Sequence, residues 1–182
     1  KRPDLGRKLS DESRKALEAY RGQRDRSEGS RQSAEKALDI VFVLADGLSA
    51  RAVENHGPAF LEAFLALQSG LRIGPICIVE QGRVAVGDPI GEMLDTSLVV
   101  VLIGERPGLS SPDSLGLYMT FDPRSGRTDE ARNCISNIRS AGLPPKQAAG
   151  RFLYLARKAL GQRLSGVALK DDWTAAMESP GT

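Results

Sequence analysis

The chain has 182 residues, 41% of them hydrophobic and 26% charged, with 25 Lys+Arg against 23 Asp+Glu, one His and two Cys. That composition excludes a disordered or fibrous chain, and a chain this long buries roughly 70% of its unfolded surface, enough for one sizeable core. No apolar run reaches the ~20 residues of a membrane span, no signal peptide opens the sequence, and two cysteines build neither a disulfide framework nor a four-ligand zinc site, so a cytoplasmic-type protein is expected.

Charge is concentrated at the start: residues 1–33 hold ten basic and six acidic side chains, and the rest of the chain is slightly acidic. With Tyr20 the only aromatic in that segment and its charges of mixed sign, a solvated or partner-facing segment is expected rather than a nucleic-acid arm. Ser10-Asp11-Glu12 reads as an N-cap followed by acidic residues where the helix dipole favours them, with Ala16, Leu17 and Tyr20 on one face. Residues 21–30 have no apolar period and read as a loop or an exposed extension of that helix.

From Asp39 the pattern changes. Ile40–Ala45 is continuously apolar, as in a strand covered on both faces. Asp46-Gly47 stops it and Ser49 caps a helix from Ala50, which Gly57-Pro58 is expected to interrupt before a second piece carrying Phe60, Leu61, Phe64, Leu65 and Leu67. Ile76–Val79 reads as a second buried strand. Gln81-Gly82 leads through Arg83-Val84-Ala85-Val86 to a short helix from Gly87-Asp88-Pro89 to Leu94. Leu98–Ile103 is the strongest strand; it empties into Gly104-Glu105-Arg106-Pro107-Gly108 and a turn-rich loop. Leu117–Phe121 is a fourth strand. Asn133-Cys134-Ile135-Ser136-Asn137 reads as a small polar stretch before the last helix, which follows Pro144-Pro145 with Ala148, Ala149, Phe152, Leu153, Ala156, Ala159 and Leu160 in a stripe. Strands alternating with helices predict a doubly wound α/β fold with a mostly parallel sheet, Rossmann-like, preceded by a short helical N-terminal segment. The expected division is residues 1–38 as that segment and its linker, 39–170 as the α/β domain, and 171–182 as a tail.

In an open parallel sheet ligands bind beyond the carboxyl ends of the strands. That rule marks Asp46 and Gly47, Val84, Glu105 and Arg106, and the stretch around Cys134. Each also has a plainer reading: Asp46-Gly47 as turn chemistry, Glu105-Arg106 as a surface ion pair, Cys134 as a small packed residue, His56 as a helix-end residue. No G-x-G-x-x-G, Walker-type loop or G-x-S-x-G elbow is present, and no base lies beside Asp46 or Cys134 in sequence. The residues alone therefore describe a ligand-binding shape with no catalytic set and no metal-ligand set.

Six collinear segments go further: Arg2-Pro3-Asp4-Leu5-Gly6-Arg7, Asp46-Gly47-Leu48-Ser49, Gly82-Arg83-Val84, Ile90-Gly91-Glu92, Gly104-Glu105-Arg106-Pro107-Gly108-Leu109 and Cys134-Ile135-Ser136-Asn137-Ile138. In this order and spacing the chain closely resembles ethanolamine ammonia-lyase small (light) subunits, over about residues 2–20 and 39–169. The resemblance implies a subunit, inactive alone, of an adenosylcobalamin-dependent lyase that converts ethanolamine to acetaldehyde and ammonia. It implies a barrel-forming large-subunit partner that holds the substrate, and a cobalamin shared between the two, contacted here by Val84, Glu105 and Cys134. Arg83, Arg106 and Asp46 are second candidates for rim or subunit contacts. Cobalamin proteins that put a His on cobalt use D-x-H-x-x-G; Glu54-Asn55-His56-Gly57-Pro58-Ala59 departs from it at both ends, so cobalamin with its own base on cobalt is expected. Family members carry a longer N-terminal extension associated with a bacterial microcompartment, expected to be missing or removed here, and residues 21–35 read as an insertion. No nucleic-acid or membrane partner is expected. The alternative from a different class is a stand-alone flavodoxin-like module binding a nucleotide or anion through Asp46-Gly47-Leu48-Ser49.

Overall fold

The computed structural model describes residues 4–28, 36–105 and 113–174. Five strands form one mixed sheet: β1 (Leu38–Ala45), β2 (Ile73–Val79), β3 (Thr96–Gly104), β4 (Leu115–Phe121) and β5 (Arg132–Ile138), in the order β2-β1-β3-β4-β5. The first three are parallel to one another, while β4 runs antiparallel to both β3 and β5. The fold is thus α/β, with parallel pairing confined to one half of the sheet.

Helices α2 (Ala50–Leu67) and α4 (Pro145–Gln162) cover one face, where Phe42, Phe60, Phe64 and Phe152 meet with ring centroids 5.2–6.4 Å apart. On the other face α3 (Gly87–Leu94) and α1 (Asp11–Glu28) enclose a second core built on Val41, Val43, Val99 and Val101 with Ile90, Leu94 and Leu17. The apolar-on-every-residue sequences of β1 and β3 are explained by this double cover.

Several expectations are corrected. Gly57-Pro58 does not interrupt α2, which runs unbroken across it. Pro58 is exposed, so the hydrogen bond it removes lies on the solvent side, and burial of Phe60, Leu61 and Phe64 beyond it offsets the cost. His56 is accordingly a mid-helix residue, buried, with Nε2 3.0 Å from Asp113 Oδ2. β2 is not a buried strand: it is an edge, with Ile76 47% and Ile78 82% exposed. The polar stretch 133–137 is no loop but the body of β5, the opposite edge. Ser10 does cap α1 through the Ser13 N–H (3.1 Å), and the helix continues to Glu28. Its polar second half is tied down by Arg24, buried, whose Nη1 donates to the Leu94 carbonyl at the end of α3 (2.8 Å). Arg2, Pro3, the linker 29–35, Arg106 with the loop to residue 112, and the tail from 175 lie outside the described residues.

Candidate functional site

The carboxyl ends of β1, β2 and β3 are stitched tightly. Asp46 accepts from the Gly82 N–H (3.1 Å), Arg83 donates to the carbonyls of Gly47 (3.2 Å) and Gly82 (3.1 Å), and the Leu48 N–H donates to the Gly104 carbonyl (3.0 Å). Gly47 has φ +56° and lies against Ile103 and the Gly104 carbonyl, where a Cβ would meet atoms at 2.4–2.6 Å. Ser49 caps α2 itself by accepting from the Ala52 N–H (3.3 Å). These hydrogen bonds give Asp46, Arg83 and Ser49 structural work, and they occupy one of the N–H donors that an anion at the start of α2 would use.

Val84 opens a 3-10 turn, Val84–Val86, that feeds directly into α3; it is half-buried and packs on the core under that helix. Glu105 is the first residue after β3. Its carboxylate accepts from the Ser114 hydroxyl and from the Asn137 N–H (3.3 Å), so it ties the end of β3 to the residue before β4 and to the end of β5. The absence of a side chain at Gly116 makes room for it: a Cβ there would stand 2.8 Å from Glu105 Oε1.

Cys134, the third residue of β5, is exposed and pairs in register with Tyr118 of β4. The thiol lies 3.2 Å from the Ser136 hydroxyl and neighbours the Tyr118 phenol across the ladder. Burial, first, and then the neighbouring Cys134, Glu105 and Asp129 push the Tyr118 phenol well above its ordinary range, so it stays neutral and available as a donor.

Tyr118 belongs to the same core face as Val84. Residues two apart on a strand share a face, so Gly116, Tyr118, Cys134 and Ser136 all lie on the α3 side of the sheet. α3 packs on β1 and β3, and beyond it Cys134 and Ser136 are exposed. Glu105 and Cys134 thus neighbour Tyr118 in a patch on this side of β4 and β5, and Val84 packs on the same core as Tyr118. Cys134 stands on the face of the sheet and not on the rim of strand ends: about three residues, or ~10 Å, separate it along β5 from Asn137, where the Glu105 carboxylate docks.

Beneath the patch is a buried ion pair that sequence reasoning missed. Arg132 donates to Asp88 through Nη1 (2.8 Å to Oδ1) and Nη2 (2.7 Å to Oδ2), and Nη1 also reaches Thr120 Oγ1 (2.9 Å). Tyr118 was missed as well, though the alternation Gly116, Tyr118, Thr120 between Leu115, Leu117 and Met119 marks a strand with one face not fully apolar. Chemically the patch offers a carboxylate acceptor, a phenol, a hydroxyl, a thiol and an apolar edge. Among the described residues no group of three or more His, Cys, Asp or Glu could hold a metal ion, and His56 is on α2, across the sheet. No helix among them is long and apolar enough to cross a membrane.

A family model described as the ethanolamine ammonia-lyase light chain matches residues 1–170. The chain is 53% identical over 173 residues to the ethanolamine ammonia-lyase small subunit of Xanthomonas campestris pv. campestris, 52% to that of Pseudomonas fluorescens Pf0-1 and 51% to that of Pseudomonas syringae pv. tomato. These alignments cover 94% of this chain and 57–60% of each relative, so the chain spans about 60% of the length of the curated relatives it matches.

Proposed function

The chain belongs to the ethanolamine ammonia-lyase light-chain family, and on that premise we propose that it serves an adenosylcobalamin-dependent ethanolamine ammonia-lyase as the small-subunit half of the cobalamin site. A large subunit, the partner the small-subunit name implies, would hold ethanolamine and carry its conversion to acetaldehyde and ammonia; this chain alone would be inactive. We read the β2-β1-β3 half, with helices on both faces, as a Rossmann-like scaffold, and bacterial cytoplasm with packaging in a microcompartment as the setting the family implies.

The observation that carries this reading is the open half-face of the sheet, with Glu105 and Cys134 beside Tyr118 and Val84 on the adjoining core. A corrin is a broad, largely apolar disc fringed with amide side chains, so it asks for van der Waals surface and scattered hydrogen-bond partners. The patch fits that chemistry. The Glu105 carboxylate is positioned by Ser114 and Asn137 to accept from a rim amide, with Ser136 and Tyr118 beside it. Val84 offers apolar contact, and the exposed Cys134 offers a small polarisable surface without needing to react. The chain's one histidine is buried against Asp113 on the opposite face, which supports cobalamin bound with its own base on cobalt.

When bound, adenosylcobalamin supplies a cobalt–carbon bond whose homolysis starts the radical chemistry. The residues of this chain would hold the cofactor's edge, fix its orientation and help keep water away. The test is reconstitution with a large subunit. Ethanolamine turnover should require both chains and the cofactor, and Glu105→Ala should weaken cobalamin retention in the assembled enzyme. Turnover by this chain alone, or unchanged retention, contradicts the reading.

A further inference from the structure

Asp88 and Arg132 form the one ion pair among the described residues in which both side chains are buried, 2% and 3% exposed. Every N–H of the Arg132 guanidinium has a partner: Nη1 on Asp88 and Thr120, Nη2 on Asp88 and the Arg127 carbonyl (3.1 Å), and Nε on Asp129 (3.4 Å). Burying two ions is an expensive way to join two elements, and a well-packed apolar pair in their place is often as stable or more so. What a bidentate fork supplies that methyl groups do not is a fixed distance and orientation.

The pair's position gives that precision a use. Asp88 is the second residue of α3, which continues directly from the turn holding Val84; where Gly87 lies over β3 a Cβ would come 2.5 Å from Val101 Cγ2, so the helix start has no slack there. Arg132 is the first residue of β5, two positions before Cys134 and on the same face. β5 is an edge strand whose ladder to β4 carries a register shift between Leu115 and Leu117, so backbone pairing alone constrains it on one side and irregularly.

We propose that the Asp88–Arg132 pair is a positioning clip that sets β5, and with it Cys134, at a fixed spacing from the Val84 turn across the cobalamin patch. The inference rests on the site reading above and adds two residues that touch no ligand themselves.

The experiment uses this chain assembled with its large subunit and compares Arg132→Lys, Asp88→Asn and the double apolar variant Asp88→Leu with Arg132→Met. Three quantities are read: the adenosylcobalamin Kd by equilibrium dialysis, the thermal midpoint, and the rate at which iodoacetamide alkylates Cys134 before cofactor is added. The apolar double variant should keep its midpoint within about 4 °C of the parent. Its Kd should nevertheless rise about tenfold, the scale on which orienting partners act, and Cys134 alkylation should change by about threefold or more. Arg132→Lys, which keeps the charge and loses the fork, should shift both in the same direction. A folded clip variant that binds within about twofold of the parent, while Glu105→Ala weakens retention, overturns the clip and leaves the site standing. If no variant folds, the pair serves stability alone and the clip is overturned. If neither Glu105→Ala nor the clip variants alter binding, the cobalamin reading falls and takes the clip with it.

Discussion

The two halves of the sheet differ in almost every property that a strand can have. β2, β1 and β3 are parallel, and β1 and β3 are covered on both faces and apolar at nearly every position. β4 and β5 are antiparallel, and β5 alternates Ile135 and Ile138 on the α4 side with exposed Cys134 and Ser136 on the other. The covered half supplies cohesion; the half-open one supplies a surface with polar groups at fixed spacing. A binding patch is inexpensive to build where a sheet face lacks a helix, because its side chains are already held by pleat and register.

The contrast can be broken most forcefully in the covered half. Phe42 touches Phe60, Phe64 and Phe152 at the centre of the α2–α4 face, so Phe42→Ala should cost about 3–5 kcal/mol in urea denaturation. A cost below about 1 kcal/mol would mean that this face is loosely packed.

At the amino end of β1, burial raises the Asp39 carboxyl, but its hydrogen bonds from the Arg72 side chain and backbone N–H win, and the net effect holds it below the usual carboxylate range. A carboxylate depressed in the folded state stabilises the fold above its unfolded value, near pH 4, and that contribution is lost as pH falls through the folded value. Because Arg72 is partly solvated, Asp39→Asn should therefore cost only about 1 kcal/mol at pH 7, and less near pH 3. Denaturation at the two pH values checks the sign.

In the open half, Cys134→Ser should change stability by no more than about 0.5 kcal/mol, since the side chain is exposed. The two thiols sharpen the comparison further. Burial beneath α1 pushes Cys77 up to about 11, so at pH 8 it is protonated and slow, whereas Cys134 is open to reagent. Mass spectrometry of the iodoacetamide-treated protein should find the first label on Cys134; a first label on Cys77 would reverse the assignment of covered and open halves.

The same division governs what could be read from sequence. Ile40–Ala45 and Leu98–Ile103 announce themselves because double cover demands an unbroken apolar run, and Ser10 and Ser49 mark their helices by cap chemistry. β5 escaped because an edge strand with one open face keeps only Ile135 and Ile138 as apolar anchors, which reads as a loop. For the second half of α1 the choice between loop and helix extension stayed open, because Arg24 holds it through a carbonyl of α3, a polar contact without periodicity. Glu105, Cys134 and Val84 were marked by strand-end position and by family resemblance together. Tyr118, Asp88 and Arg132 needed register, since only pairing shows which residues share the face.

The most direct test of the account is to fill the open half-face. Cys134→Trp places an indole on the exposed face of β5, and cobalamin retained by the reconstituted two-subunit enzyme is then measured by dialysis alongside its circular dichroism. The account predicts an unchanged fold with cobalamin retention reduced about tenfold or more, a loss of roughly 1.4 kcal/mol. Full retention with the tryptophan in place would contradict it.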